Sequence, residues 1–191
     1  MFSKICRGVF LIFSKVYWKS EKKNLAKCGK GAYIEYPFIL KGGKYISIGE
    51  NFRAYKGLRL EAHNKHNGIE FTPRIEIDDN VSINCDVHIT ACNKVVIEEG
   101  TLIASKVFIT DHFHGRTSGE DLKIGPQKRK LYSRGEVHIG KNVWIGEGVA
   151  IMPGVSIGDN CIIGANSVVT KSMPLNSIIA GNPARVLKEN V

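Results

Sequence analysis

The sequence predicts a mainly β protein, a parallel β-helix of hexapeptide repeats preceded by a helix. Three observations carry this. Ile139, Ile145, Ile151, Ile157, Ile163 and Val169 recur at every sixth position. A second track, Val137, Val143, Val149, Val155 and Cys161, runs two positions ahead of the first. Three positions after the main track stand Asn142, Gly148, Gly154, Asn160 and Asn166, residue types that tolerate the positive φ of a tight corner. Such a period cannot keep one face of an α-helix; it suits a short strand with alternating side chains followed by a corner. Three such units make a triangular coil of about 18 residues, and stacked coils pair their backbones roughly 4.8 Å apart. The beat itself does not set the hand of the coil, and general crossover chirality would favour a right-handed one.

The elements follow in chain order. "MFSKICRGVFLIFSKVYWKS" spaces Phe2, Ile5, Cys6, Val9, Phe10, Phe13, Val16 and Tyr17 as one helical stripe, with Lys4, Arg7, Lys15 and Lys19 mostly off it. Val9 to Phe13 is its longest apolar run, too short to span a bilayer, and no small-residue cleavage site marks a signal peptide. Residues 1–30 hold eight basic residues and one acid of a chain whose net charge is +9. They are expected as a separate basic amphipathic module, with residues 31–191 as the β-helix domain. The module either packs on the main domain or a sister subunit, or makes peripheral contact with an anionic membrane through residues 1–20. The near-neutral remainder carries no nucleic-acid motif, so no nucleic-acid partner is expected. Five cysteines at irregular spacing fit neither a disulfide framework nor a metal knuckle and read as reduced thiols of a cytoplasmic protein.

The beat also runs through Ile77, Ile83 and Ile89 and through Ile97, Ile103 and Ile109, with a step of eight between the triplets. It stops at "FITDHFHG", residues 108–115, and resumes near Val137. The intervening segment, near 112–136, is expected as a protruding loop, and a loop of that length in a tight solenoid is usually functional. His112 falls three positions after Ile109, in the corner slot that elsewhere holds Asn or Gly.

"IGKNVWIGEGVAIMPGVSIGDNCIIGANSVVTKSMPLNSIIAGNPARVLKE" resembles the C-terminal signature of hexapeptide-repeat acyltransferases. The resemblance, to the maltose/galactoside O-acetyltransferase branch and its polysaccharide-modifying relatives, covers roughly residues 46–189. It implies a left-handed coil, a homotrimer with active sites between subunits, and acetyl-CoA as donor, with no metal. It implies His112 as general base and Asn84 as a hydrogen-bonding partner of the acceptor sugar. Trp144 matches the aromatic of "VWIG" beside the cleft, and His114 is a loop histidine within reach of the acceptor. Ala165, Thr170 and Lys171 match the pantetheine and phosphate path, with Gly146 a further small residue along it. Arg185 and Lys188 match basic positions near the nucleotide. The chain after "GNPAR" is expected as a short helical tail. Glu147 and Cys92 depart from the galactoside branch, which uses a serine and an acid there, so a galactoside is not the expected acceptor.

The chemistry suits the residue. An alcohol attacking a thioester must lose its proton, and an imidazole titrating near neutrality can take it. Asp111 or a backbone carbonyl could fix its tautomer. The expected activity is acetyl-CoA-dependent O-acetylation of a sugar hydroxyl in a cell-surface glycan or lipopolysaccharide precursor. N-acetylation of an amino sugar is the alternative. The zinc-dependent carbonic anhydrases that share this solenoid are disfavoured, because His88, His112, His114 and His138 do not reproduce their ligand spacing. No threonine ladder supports an ice-binding scaffold.

Overall fold

The structure is a computed structural model that describes residues 2–189, with side-chain environments from Gly8 onward. The solenoid is a three-sided prism. One face is a six-stranded sheet that runs from Lys27–Cys28 to Ser156–Ile157; the second is eight-stranded, from Tyr33–Ile34 to Ala184–Glu189; the third is six-stranded, from Ile39–Lys41 to Val168–Val169. Neighbouring coils pair in parallel and in register: Ile97 with Ile139, Ile103 with Ile145, Ile109 with Ile151. The main-track aliphatics are buried completely or nearly so, so the beat in the sequence is the core itself.

The corners behave as the residue types dictate. Asn142, Asn160 and Asn166 have φ of 55°, 57° and 58°, and Gly148 and Gly154 are also left-handed. Their side chains form a ladder, with Asn142 Nδ2 donating to Asn160 Oδ1 at 3.5 Å and Asn160 Nδ2 to Asn176 Oδ1 at 2.9 Å. His112 differs: it is not among the left-handed residues but opens a strand, His112–His114, that leaves the coil and pairs antiparallel with Leu131–Ser133. The protruding segment is thus a hairpin, closed by short 3-10 turns at Gly119–Lys123 and Pro126–Lys128.

Two features depart from expectation. A second hairpin, Lys65–His66 with Ile69–Glu70, interrupts the solenoid earlier. Its Asn67–Gly68 turn, left-handed at both positions, is a hairpin signal legible in the sequence. The expected C-terminal helical tail is instead a strand, Ala184–Glu189, which folds back antiparallel on Ser177–Gly181. The open edge of the second face offers unpaired backbone groups, and pairing them outweighs the weak helical preference of six residues.

At the other end a helix, α1 (Phe2–Glu21), precedes the prism. Trp18 and Ser14 are buried against it: Trp18 Nε1 donates to the Ala32 carbonyl at 2.8 Å, and Ser14 Oγ accepts from the Tyr36 amide at 2.9 Å. Tyr17 packs edge-on to Tyr36 and Phe38. Strand Lys27–Cys28 already pairs with Ser47–Ile48, so the solenoid begins inside the 1–30 segment. Phe2, Ile5 and Cys6 of the sequence stripe, with Lys4 and Arg7, lie outside the described side chains.

Candidate active site

The third face delivers the site. Its strands end at Ala62, Ala91 and Thr110, and each chain then turns outward. The turn after Ala91 contains Cys92 and Asn93, the extra residues behind the step of eight. Their amide N–H groups point at Asp111, which is fully buried. Cys92 N donates to Asp111 Oδ1 at 2.9 Å and Asn93 N to Oδ2 at 2.7 Å. A third donor, His112 Nδ1, lies 2.7 Å from Oδ1. A carboxylate ringed by three donors acts only as acceptor. Nδ1 therefore carries the proton, and Nε2 of His112 presents a lone pair. The Thr110 hydroxyl donates to the His112 carbonyl at 3.0 Å and accepts from its amide at 3.2 Å, fixing the backbone at the exit. Of the two orienting groups left open by the sequence, the structure selects Asp111.

His112 lines a cleft of about 310 Å³ together with Arg59, Glu61, His63, His66, His88, Thr90, Phe108, Thr110, His114 and Leu131. Five of the chain's six histidines thus converge there; the sixth, His138, pairs with Glu98 on the first face. The two hairpins are held together over the cleft, since Asn67 Nδ2 donates to the Gln127 and Arg129 carbonyls and the His66 and His114 rings meet edge to face. His114 therefore shares the cleft with His112.

Glu61 organises the floor. Arg59 Nη2 lies 2.9 Å from its Oε1, and His63 and His88 Nε2 lie 3.5 and 3.6 Å from its Oε2. Burial works to raise its pKa, but the Arg59 hydrogen bond and charge, aided by His88 and His63, hold it below the usual value. His63, His88 and His114 are all pushed down, first by burial and then by neighbouring positive groups. His88 Nε2 and Thr90 Oγ1 are buried with no hydrogen-bond partner among the described residues, so each has capacity for a ligand hydroxyl. Arg59, Glu61, His63 and His66 were missed by sequence reasoning. Arg59, Glu61 and His63 belong to an earlier coil, and their only signal was the outward alternation in "RLEAH"; His66 lies on the hairpin that follows.

Cys92, Asp111 and His112 bring potential ligand atoms within 4.8 Å of one another. Their chemistry does not fit a metal. Burial and the Asp111 charge push the Cys92 thiol up to about 12, and the Asp111 oxygens are already engaged.

The other expected residues fall elsewhere on the prism. Thr170 and Lys171 are exposed and follow Val169, two coils along from Ile109 on the same edge and therefore about 10 Å away along the axis. Ala165 is exposed at the opposite edge of that face. Arg185, paired with Ala180, and Lys188, paired with Ile178, lie on the second face. Trp144 and Asn84 are also on the second face; Asn84 lines a separate cavity with Tyr33, Arg53 and Leu102. Gly146 is small for a structural reason. Its amide donates to the Ile163 carbonyl at 2.8 Å, and a Cβ there would sit 2.7 Å from Ala165 N.

Comparison with known proteins bears on the family and the fold. Residues 136–171 match the family described as "Bacterial transferase hexapeptide (six repeats)". The chain is 44% identical over 160 residues to WbbJ of Escherichia coli K12, whose name assigns it to lipopolysaccharide biosynthesis as an O-acetyl transferase. That match covers 82% of this chain and 78% of WbbJ. A galactoside acetyltransferase solved with coenzyme A is 33% identical, with a TM-score of 0.60, over 88% of this chain and 66% of its own. AntD, an N-acyltransferase of Bacillus cereus solved with dTDP and 3-hydroxybutyryl-CoA, shares the fold with a TM-score of 0.73 at 22% identity. It covers 91% of this chain and 87% of AntD.

Proposed function

Because the chain belongs to the hexapeptide-repeat acetyltransferases, we propose that it transfers acetyl from acetyl-CoA to a sugar hydroxyl of a cell-surface glycan or lipopolysaccharide precursor. The observation that carries this reading is the buried Asp111–His112 pair at the mouth of the cleft. His112 Nε2 takes the hydroxyl proton as the oxygen attacks the thioester carbonyl carbon. The tetrahedral intermediate then expels the CoA thiolate, and the proton on Nε2 passes to sulfur. Asp111 holds the ring and stabilises the imidazolium between those steps. A thiolate is a good leaving group, so no covalent enzyme intermediate is needed.

The left-handed coil and the homotrimer belong to the same proposal. At about 310 Å³ the cleft is at the lower limit for a ligand site and too small to hold an acceptor and CoA together. Asn84 and Trp144 lie on a different face from His112, and Ala165 and Arg185 on a different edge from Lys171. Only a neighbouring subunit could bring the two sets together. Leu102, Phe108 and Trp144 are 42%, 37% and 53% exposed, apolar surface suited to a subunit contact. Lys171, Arg185 and Lys188 would then serve the CoA phosphates. No helix among the described residues is long and apolar enough to cross a membrane, and the use of acetyl-CoA supports a cytoplasmic enzyme.

The test is thiol release from acetyl-CoA over a panel of acceptors, with product mass. His112→Ala should lower turnover by about 10² or more with CoA affinity and melting temperature unchanged. Near-normal turnover in that variant would sink the mechanism.

A further inference from the structure

We infer that the outer side of α1 is a docking surface for an anionic lipid bilayer, on which the helix lies in the plane of the head groups. The helix has two apolar sides, and the prism uses one. Ser14 and Trp18 are buried, Tyr17 is half-buried, and Phe10 and Phe13 pack on Tyr36. At about 100° per residue, Val9, Ile12 and Val16 stand roughly 140–200° around the axis from Ser14. They are 62%, 66% and 63% exposed and form one row at i, i+3, i+7 spacing. Because Trp18 and Ser14 are hydrogen-bonded to the prism, the helix cannot roll this row inward.

What covers the row is indicated by the charges beside it. Lys15 and Lys19 are exposed on its flank, Lys22 and Lys23 follow in the next turn, and Glu21 is the one acid of the segment. Two copies of this helix packed row to row would bring these lysines together, and like charges would oppose the contact. A bilayer surface bearing anionic head groups instead satisfies both features, burying the aliphatic row and attracting the flanking lysines. The row is too short to cross the bilayer, so the helix lies on it, with the β-helix standing off the surface. This surface is separate from the cleft, and the inference does not depend on the acetyl-transfer reading.

The experiment is vesicle co-sedimentation of the full chain with phosphatidylcholine alone and with phosphatidylcholine mixed with phosphatidylglycerol. Pelleting is expected only with the mixed vesicles, and less at high salt. Lys15→Glu with Lys19→Glu should lower the partition coefficient about tenfold or more. Val9→Ser, Ile12→Ser and Val16→Ser together should abolish pelleting while melting temperature and oligomeric mass stay the same. The inference is overturned if the full chain ignores the mixed vesicles, or if either variant pellets like the parent. It is equally overturned if the serine variant changes oligomeric mass without lipid, which would give the row to a second copy.

Discussion

Asp111 performs two tasks with one carboxylate. It closes the turn at Cys92 and Asn93 and holds the ring of His112. Asp111→Asn keeps the shape but gives the site an amide that cannot accept all three hydrogen bonds. The NH2 group must face either the Asn93 N–H or both the Cys92 N–H and the imidazole, and in the latter case the opposite tautomer is favoured. Turnover should fall by about 10² or more, and stability by about 1–3 kcal/mol through the unsatisfied buried donor. The pH profile should separate the two effects, since a purely structural role would lower stability without moving the acid limb of kcat/KM. The neighbouring histidines add their own pH dependence. His63, His88 and His114 are held below the ordinary histidine value, so the unfolded chain binds protons that the fold resists. The stability gained by keeping them neutral is fully present above about pH 6.5 and is lost as pH falls through their lower folded values. The melting temperature should be level above about pH 7 and decline below about pH 6.5, less steeply in His63→Gln with His88→Gln. A flat curve across that range would remove these groups from the account.

Strands and corners were legible in the sequence because they depend on contacts repeated at one spacing. The column of Ile145, Ile151, Ile157 and Ile163 and the corner residues Asn142 and Asn160 each answer to the coil beside them. His112 was legible as a break in that spacing and by resemblance, but its left-handed corner was not realised, because the chain leaves the coil there. The cleft floor was not legible: Glu61 and His63 meet His112 only after one coil stacks on another, and no local pattern encodes that meeting. The C-terminal strand was missed for a similar reason, since its partner is the open edge of a sheet. Gly146 shows how one residue can carry two readings. Its small size suits a backbone edge that pairs with the pantetheine amides, whereas the structure fills the space of its missing Cβ with Ala165. Gly146→Ala must push against backbone, so it should cost about 1–3 kcal/mol, read as a lower melting temperature. If the melting temperature is kept while CoA affinity falls, the structural reading of Gly146 is wrong.

At the scale of the whole molecule, the arrangement of the expected residues makes a demand on assembly. His112 sits at the end of the third face, and Asn84 lies on the second face in a separate cavity. Both cannot touch one acceptor within a single prism. In the proposed ring of identical chains every interface is the same, so each site would take one face from each of two neighbouring chains. His112→Ala and Asn84→Ala should therefore each be inactive or severely impaired as pure proteins. Dissociated, mixed in equal amounts and reassembled, they should regain activity. An interface that receives its third face from the Asn84→Ala chain and its second face from the His112→Ala chain has both residues intact, and random mixing makes about a quarter of interfaces so. Chains that keep the whole site in one prism would regain nothing, because every chain in the mixture carries one lesion. The control is Leu102→Glu, which places a charge on the second-face column beside Trp144; because Leu102 also lines the Asn84 cavity, its oligomeric mass is the deciding readout. It should reduce the oligomeric mass and abolish complementation together. Recovery of activity by the mixture while Leu102→Glu leaves both mass and recovery untouched would place the subunit contact on another surface. No recovery at all from well-assembled mixed oligomers would return the site to a single chain and remove Asn84 from it.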